Sequence, residues 1–355
     1  MSKEIDVLII GSGVAGAMAY SRAQERGAKA LWISKSIGAT GLSSGAINWP
    51  QFNADPSDKR TLAWKLFLQQ VHVLDFKSTE RAFTQIGSVK KCFAVQGSQF
   101  FDFDAHHKED LIAVVGFSGL PQFDAQATAH MLEYNGFRAQ PLLIEFEPQN
   151  QERWQSLASF AQDFDQASTQ EACLPRVVHA LQSKAMPFKH LLFPAALGFH
   201  SAGAFLQKLE KQISHSASEL LGYSHSIPGI RLGRALSEHC KQDRVINYKQ
   251  NGHHIDTTQL KNHGAVQTKS IILATGRFLA GGFHKKSQAF ETIFKLPITQ
   301  KVLEAWLETD EQQRPLNQFG EVFATNLFAA GANIEKGAPS LGQAILTGYQ
   351  AGDLC

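Results

Sequence analysis

Cysteine, net charge and long apolar runs are all scarce in this chain, and each shortage closes off a class of function. Among 355 residues there are four cysteines, Cys92, Cys173, Cys240 and Cys355. They are far apart and form no Cys-x-x-Cys, so they supply neither an iron–sulfur nor a zinc framework. Free thiols in a reducing compartment and no metal site are expected. The formal net charge is only +2, which argues against a dedicated nucleic-acid binder. No apolar run reaches the length of a membrane span, and the stretch 191–199 is too short. A strand-like run begins almost at Met1 and leaves no room for a signal peptide. The expectation is a cytoplasmic protein with no span of its own, reaching the inner face of a membrane only through a partner. Apolar material is plentiful: 43% of residues are hydrophobic and 25 are phenylalanine. That is enough for a sizeable core in one large or two ordinary domains.

The stretch from Ile5 to Ser36 organises the rest. Ile5 to Ile10 is mainly apolar and mostly β-branched, the pattern of a buried parallel strand. It runs into Gly11-Ser12-Gly13-Val14-Ala15-Gly16. Ala17 to Arg26 follows with helical character and Gly27 as its stop. Ala30 to Ile33 reads as the next strand. In such a unit Gly11 permits the tight turn, Gly13 lets a pyrophosphate approach the backbone, and Gly16 lets helix and strand pack closely. Val14 and Ala15 fill the turn between them, and the N–H groups and dipole at the N-terminus of the helix that follows favour phosphate. A G-x-G-x-x-G between a strand and a helix is the context that raises this motif above a packing turn. The acidic residue that usually ends the second strand and holds a ribose is absent. Ser34 and Lys35 stand there instead, a hydroxyl for the ribose and a cation for phosphate.

Further along, Thr40, Gly41, Ser43, Ser44 and Gly45 lie in a loop of small and hydroxylated residues able to pass close to a flat ligand. Helices are expected over 55–80 (with Pro56 in its first turn), 124–134, 151–164, 201–212 and 231–240. Strands are expected over 91–95, 100–103, 111–115 and 142–146. The polar stretch 149–171 reads as surface, and 191–198 as an apolar, turn-rich segment. Arg231 and Arg234 share a helix face and are candidate anion holders, with surface salt bridges as the ordinary alternative. A second strong motif is the strand entering Ala274-Thr275-Gly276, whose small residues let a nucleotide approach the strand end. The third is the strand ending in Ala330-Gly331-Ala332-Asn333, followed by a loop with Gly337-Ala338-Pro339 and a helix opening at Ser340-Leu341-Gly342. No acid–base pair stands out; His284 is the best single catalytic candidate near these motifs.

Two resemblances follow from these residues. The loop around Thr40 to Asn48 is similar to the segment against the flavin in the succinate dehydrogenase and fumarate reductase group. That group often carries a similar Ser-Lys after the second strand. More specifically, the chain resembles the B subunit of the anaerobic glycerol-3-phosphate dehydrogenase. The likeness runs through Ser43-Ser44-Gly45, Val115-Gly116-Phe117, Leu192 to Gly198, Ile227 to Leu232, Ala274 to Gly282 and Asn326 to Gly331. It implies an α/β fold: a Rossmann-like, glutathione-reductase-like FAD-binding domain, discontinuous over 1–49 and 225–355, with an inserted α+β domain over 50–224. It also implies a flavin, FAD or alternatively FMN; the pyrophosphate turn favours FAD. In that group a helix N-terminus faces the flavin, and an acidic residue commonly follows the Ala-Gly, where this chain has Ala332 with Asn333 as a substitute. The implied partners are an FAD-containing dehydrogenase subunit and an iron–sulfur subunit docked on the membrane. The implied reaction passes electrons from glycerol 3-phosphate to quinone. A stand-alone fumarate-reductase-like oxidoreductase and a non-catalytic assembly subunit are the competing expectations.

Overall fold

Seven strands of one sheet occur in chain order as β1 (Lys3–Ile10), β2 (Ala30–Ser34), β3 (Lys241–Gln242), β4 (Val245–Asn251), β5 (His254–Leu260), β6 (Gly264–Leu273) and β7 (Leu327–Ala329). From Val7 to Ile10 every side chain of β1 is buried, as both covered faces of a central parallel strand require. β1 pairs in parallel with β2 on one side and β6 on the other. β3 extends the sheet beyond β2. On its far edge β6 divides its partners. The part near Gly264 takes β5 antiparallel, and Ile271 to Leu273 take β7 parallel. The result is a mixed sheet whose β1, β6 and β7 end side by side.

The structure is a computed structural model that describes residues 3–49, 57–148, 153–184, 186–223, 226–301, 304–336 and 340–355. The expected roles of Pro56 and of Gly337-Ala338-Pro339 lie outside the described residues. By its internal contacts the chain divides into two compact units. The first comprises Met1–Thr40, Trp49–His72 and Gly233–Cys355; the second comprises Gly41–Asn48 and Val73–Leu232. Compared with the expected boundaries, 41–48 and 226–232 fall in the second unit, and the helix after Ser57 falls in the first.

In the first unit, α1 (Val14–Glu25), α2 (Lys59–Gln70) and α3 (Leu341–Asp353) accompany the sheet. Helices α1 and α3 meet almost backbone to backbone. A Cβ on Gly348 would lie 2.3 Å from the carbonyl oxygen of Ala15, and one on Gly352 would lie 2.6 Å from that of Ala19. Arg22 closes the seam with an ion pair to Asp353 at 2.7 Å. Helix α2 is shorter than the expected 55–80. Asp58 caps it by accepting the Arg60 N–H, and after Gln70 the chain passes into a short 3-10 turn at His72–Leu74.

The second unit holds four parallel strands in the spatial order Ser216–Glu219, Phe188–Phe193, Leu111–Phe117, Arg138–Ile144. Parallel neighbours need crossover connections, and helices Ala125–Tyr134, Leu157–Phe164, Ala167–Lys184 and Ala202–Ile213 lie between the strands in sequence. This corrects the expected α+β insertion: its main layer is α/β. The phenylalanines fill its core. Phe117 packs on Phe160 with ring centroids 5.1 Å apart, and Phe164 meets Phe205 edge-on at 4.8 Å. Residues 100–103 form no strand, and the polar stretch after Asn150 contains two helices. The helix expected over 231–240 is Ile227–Leu236. It starts early because the Ser226 hydroxyl accepts the Gly229 N–H at 3.0 Å, and Pro228 loses no hydrogen bond in a first turn.

Candidate functional site

The turn between β1 and α1 is dictated by its glycines. Gly11 has φ +126°, and a Cβ there would sit 2.1 Å from the carbonyl oxygen of Ala274. Conformation and space both demand glycine, and the close approach joins the end of β1 to the end of β6. The Ala274 N–H donates to Ile10 O at 2.8 Å. A Cβ on Gly16 would come within 1.9 Å of Gly11 O, so Gly16 lets α1 lie directly on the turn. Gly13 differs from both. A Cβ there would meet only the Thr40 hydroxyl, at 3.4 Å. The protein does not need glycine at Gly13 for its own packing; the room beside the helix N-terminus is left for something else. Gly13 is the N-cap residue and offers no side-chain cap. Thr40 compensates in part by accepting the Val14 N–H at 2.9 Å. Ala15 lies in the same first turn, buried against Gly331, whose own Cβ would stand 2.7 Å from that of Ala15.

The ends of β6 and β7 complete one edge of this site. Gly331 has φ +71°, and its N–H donates to the Thr347 hydroxyl of α3 at 2.8 Å. Asn333 is fully buried. Its amide nitrogen donates to Leu273 O at 3.0 Å and reaches the Thr275 hydroxyl at 3.3 Å. Its amide oxygen is buried with no partner among the described residues. Arg277, just past Gly276, holds the carbonyl of Ala332 at 2.7 Å and that of Glu335. The Glu335 carboxyl is buried. One oxygen accepts the Ser340 N–H at 2.9 Å, and the other has no partner among the described residues. Burial pushes this carboxyl up to about 7. Ser340 caps α3 by accepting the Gln343 N–H at 3.0 Å, with Leu341 and Gly342 in the first turn. At the end of β2 the Ser34 hydroxyl donates to Ser36 O at 2.7 Å. Lys35 is exposed, and its ammonium nitrogen lies 3.2 Å from where a Gly281 Cβ would be.

These features fit FAD. The open space at Gly13 and the N-terminus of α1 suit a pyrophosphate. The two buried acceptors without donors, on Asn333 and Glu335, suit a ligand carrying hydroxyl or imide hydrogens. Asn333 rather than Ala332 presents a side chain at the position where an acid was expected.

In the second unit, the Gly41-to-Gly45 loop is clamped by the Ile227–Leu236 helix. A Gly45 Cβ would lie 2.7 Å from that of Pro228, and a Gly229 Cβ would lie 2.3 Å from Ser43 O. Ser43 O also accepts the Ser226 hydroxyl. Ser44 O accepts the Gln99 amide at 3.2 Å, and its hydroxyl meets Lys90 at 3.5 Å. Two motifs that looked independent in sequence are two halves of one contact.

Arg231 does not hold a free anion, which corrects the weak catalytic expectation. Its guanidinium grips Glu219 at 2.6 and 3.0 Å and Gly198 O at 2.8 and 2.5 Å. Glu219 also accepts from Ser98 at 2.8 Å and from the Leu197 N–H at 2.8 Å. The pair is buried and satisfied. His284 sits exposed on the two-stranded ribbon of Phe283–Lys285 and Ala289–Glu291, edge-on to Phe290. It is a surface histidine. Among the described residues no group of His, Cys, Asp and Glu is placed to hold a metal, and no helix is long and apolar enough to cross a membrane.

Two residues escaped the sequence reading. Trp32, in β2, donates its indole N–H to Gly11 O at 2.7 Å and stacks on Tyr20. Its only signal was a tryptophan in an otherwise aliphatic strand. Glu335 was visible only as an acid in a small, apolar segment.

A protein-family model described as an FAD binding domain matches residues 6–278. No curated protein matches the chain. Among solved structures, a 3-ketosteroid-Δ4-(5α)-dehydrogenase from Rhodococcus jostii RHA1 is 13% identical with a TM-score of 0.39, covering 99% of this chain and 96% of that one. A GidA-related protein from Thermus thermophilus is 10% identical with a TM-score of 0.35, covering 98% and 96%. Likeness at that level says nothing of substrate or reaction. The family match spans most of the chain and coincides with the glycine turn and the β6 end, so this protein belongs to the FAD-binding-domain family of FAD-dependent oxidoreductases.

Proposed function

We propose that this flavoprotein is the electron-transferring component of an anaerobic glycerol-3-phosphate dehydrogenase complex, corresponding to the B subunit of such enzymes. The observation that carries the reading is the pairing of two family-like motifs in the second unit, Ser43-Ser44-Gly45 against Pro228-Gly229, with no packing room left between them. Bound FAD would supply the electron-carrying chemistry, accepting electrons from one redox partner and passing them to another. The chain's own residues bind and orient it. The turn of Gly11, Gly13, Val14, Ala15 and Gly16 would hold the pyrophosphate, and Ser34, Lys35 and Thr40 would serve the ribose and phosphates. Ala274, Thr275 and Gly276 line the strand end. Gly331, Ala332, Asn333, Ser340, Leu341 and Gly342 serve the flavin side, where the N-terminus of α3 favours negative charge. Substrate oxidation falls to a partner flavoprotein subunit, and an iron–sulfur subunit carries electrons to quinone at the membrane. The fully paired Arg231 supports this division of labour, because it is not available to grip a dicarboxylate.

The test is to purify the chain, identify the released flavin, and add glycerol 3-phosphate with and without the partner subunits. Bleaching of the visible flavin band only when the partner is present is the expected result. Turnover of fumarate by the isolated chain with a reduced dye would replace this reading with the stand-alone one.

A further inference from the structure

Glu335 is a buried carboxyl, 6% exposed. One oxygen is fixed by the Ser340 N–H at the start of α3, at 2.9 Å, while Oε1 is buried and has no partner among the described residues. Two residues back, the Asn333 amide oxygen is in the same condition. Asn333 is tied to the end of β6 through Leu273 O and Thr275. Both vacant acceptors therefore belong to the segment that follows β7, where open α/β sheets place their ligands. Leaving a buried acceptor without a donor is unfavourable. Two of them in one short segment point to a ligand that brings donors.

We propose that Glu335 is a proton-linked cofactor contact: bound FAD donates a hydrogen bond to Oε1, and the carboxyl releases its proton to solvent as the cofactor binds. The inference rests on the FAD reading of the strand-end site. FAD carries suitable donors in its ribityl hydroxyls and its flavin imide N–H. A donor on Oε1 stabilises the carboxylate over the acid. Without it, burial holds the carboxyl near 7, so at neutral pH a proton is there to lose. Few charges complicate this balance. Arg277 faces the carboxyl and favours its ionised form, and Glu304 acts on Arg277. Lys336 is turned toward Glu308 at 3.7 Å, and the first turn of α3 has no acidic residue.

The experiment is FAD binding to the flavin-free chain by titration calorimetry at pH 7 in buffers of different ionisation enthalpy, with affinities measured from pH 6 to 8. Wild type should release about half a proton per FAD at pH 7, and its affinity should rise about tenfold across that range. Glu335→Gln keeps an acceptor for the Ser340 N–H but has no proton to lose. It should bind FAD with no proton release and a flat pH profile, and its flavin-free form should melt above wild type at pH 8. Zero release or uptake in wild type, or an unchanged pH profile in Glu335→Gln, would overturn the proposal. Stoichiometry is read separately. A chain that binds no FAD at any pH loses cofactor and proposal together, whereas binding without proton release removes the proposal alone.

Discussion

The two units each contain parallel strands, and they treat a buried carboxylate in opposite ways. In the second unit Glu219, at the end of its strand, is met by Arg231, Ser98 and the Leu197 N–H. Every acceptor there is answered from within the chain. In the first unit Glu335 has one backbone donor and a vacant oxygen, next to an equally vacant Asn333. A buried ion pair with its hydrogen bonds complete holds a fold in place; a buried acid left incomplete invites a ligand. Both carboxyls are buried; they differ in whether the chain itself answers every oxygen.

The contrast can be broken in four ways, from the largest effect down. Gly11→Ala should be the most damaging. Its positive φ alone costs about 1–3 kcal/mol, and the new Cβ strikes the Ala274 carbonyl at 2.1 Å. Loss of bound flavin in whatever protein remains soluble is the expected outcome. Arg231→Ala leaves Glu219 charged, buried and unpaired, which costs about 3–5 kcal/mol. Thermal melting should show this, and the double variant Arg231→Met/Glu219→Leu should recover much of it. Gly13→Ala is the sharpest discriminator. Packing tolerates it, so melting of the flavin-free chain should hardly move, while FAD affinity falls about tenfold, or ~1.4 kcal/mol. An unchanged affinity would mean that nothing approaches the backbone there.

The smallest effect is a pH dependence. His190 is buried between Ser216 at 2.6 Å and Ser218 at 2.8 Å, and burial pushes its imidazole down to about 3. The unfolded chain takes up a proton near 6.5 that the folded chain refuses. Stability should therefore fall as pH drops from 6.5 toward 3, and be indifferent to this residue above 6.5. Melting temperatures of wild type and His190→Gln between pH 7 and 5 check it; the variant should lose less.

What was legible in the sequence was local. Ile5 to Gly16 carries strand, turn and helix within a dozen residues, and Gly11 and Gly16 answer to a neighbour a few bonds away or to the strand alongside. The Ala-Thr-Gly and Ala-Gly strand ends were legible for the same reason. What stayed hidden depended on partners distant in sequence. Ser216–Glu219 has no apolar pattern, because Ser216 and Ser218 face a histidine from the neighbouring strand and Glu219 faces Arg231. Phe188–Phe193 was obscured by the Pro194-Ala195-Ala196 turn that follows it. Arg231 looked like an anion holder because its sequence neighbours give no hint of Glu219. Trp32 looked like ordinary strand filling because its acceptor is a backbone carbonyl 21 residues away.

The glycine seam between α1 and α3 has a consequence for how the molecule is made. Ala15 and Ala19 leave the ribosome long before the helix that carries Gly348 and Gly352. While everything between them is being synthesised, the second unit included, the face of α1 that α3 covers stays bare. The cofactor turn is thus finished late, and a lasting hold on the flavin must wait until α3 has docked.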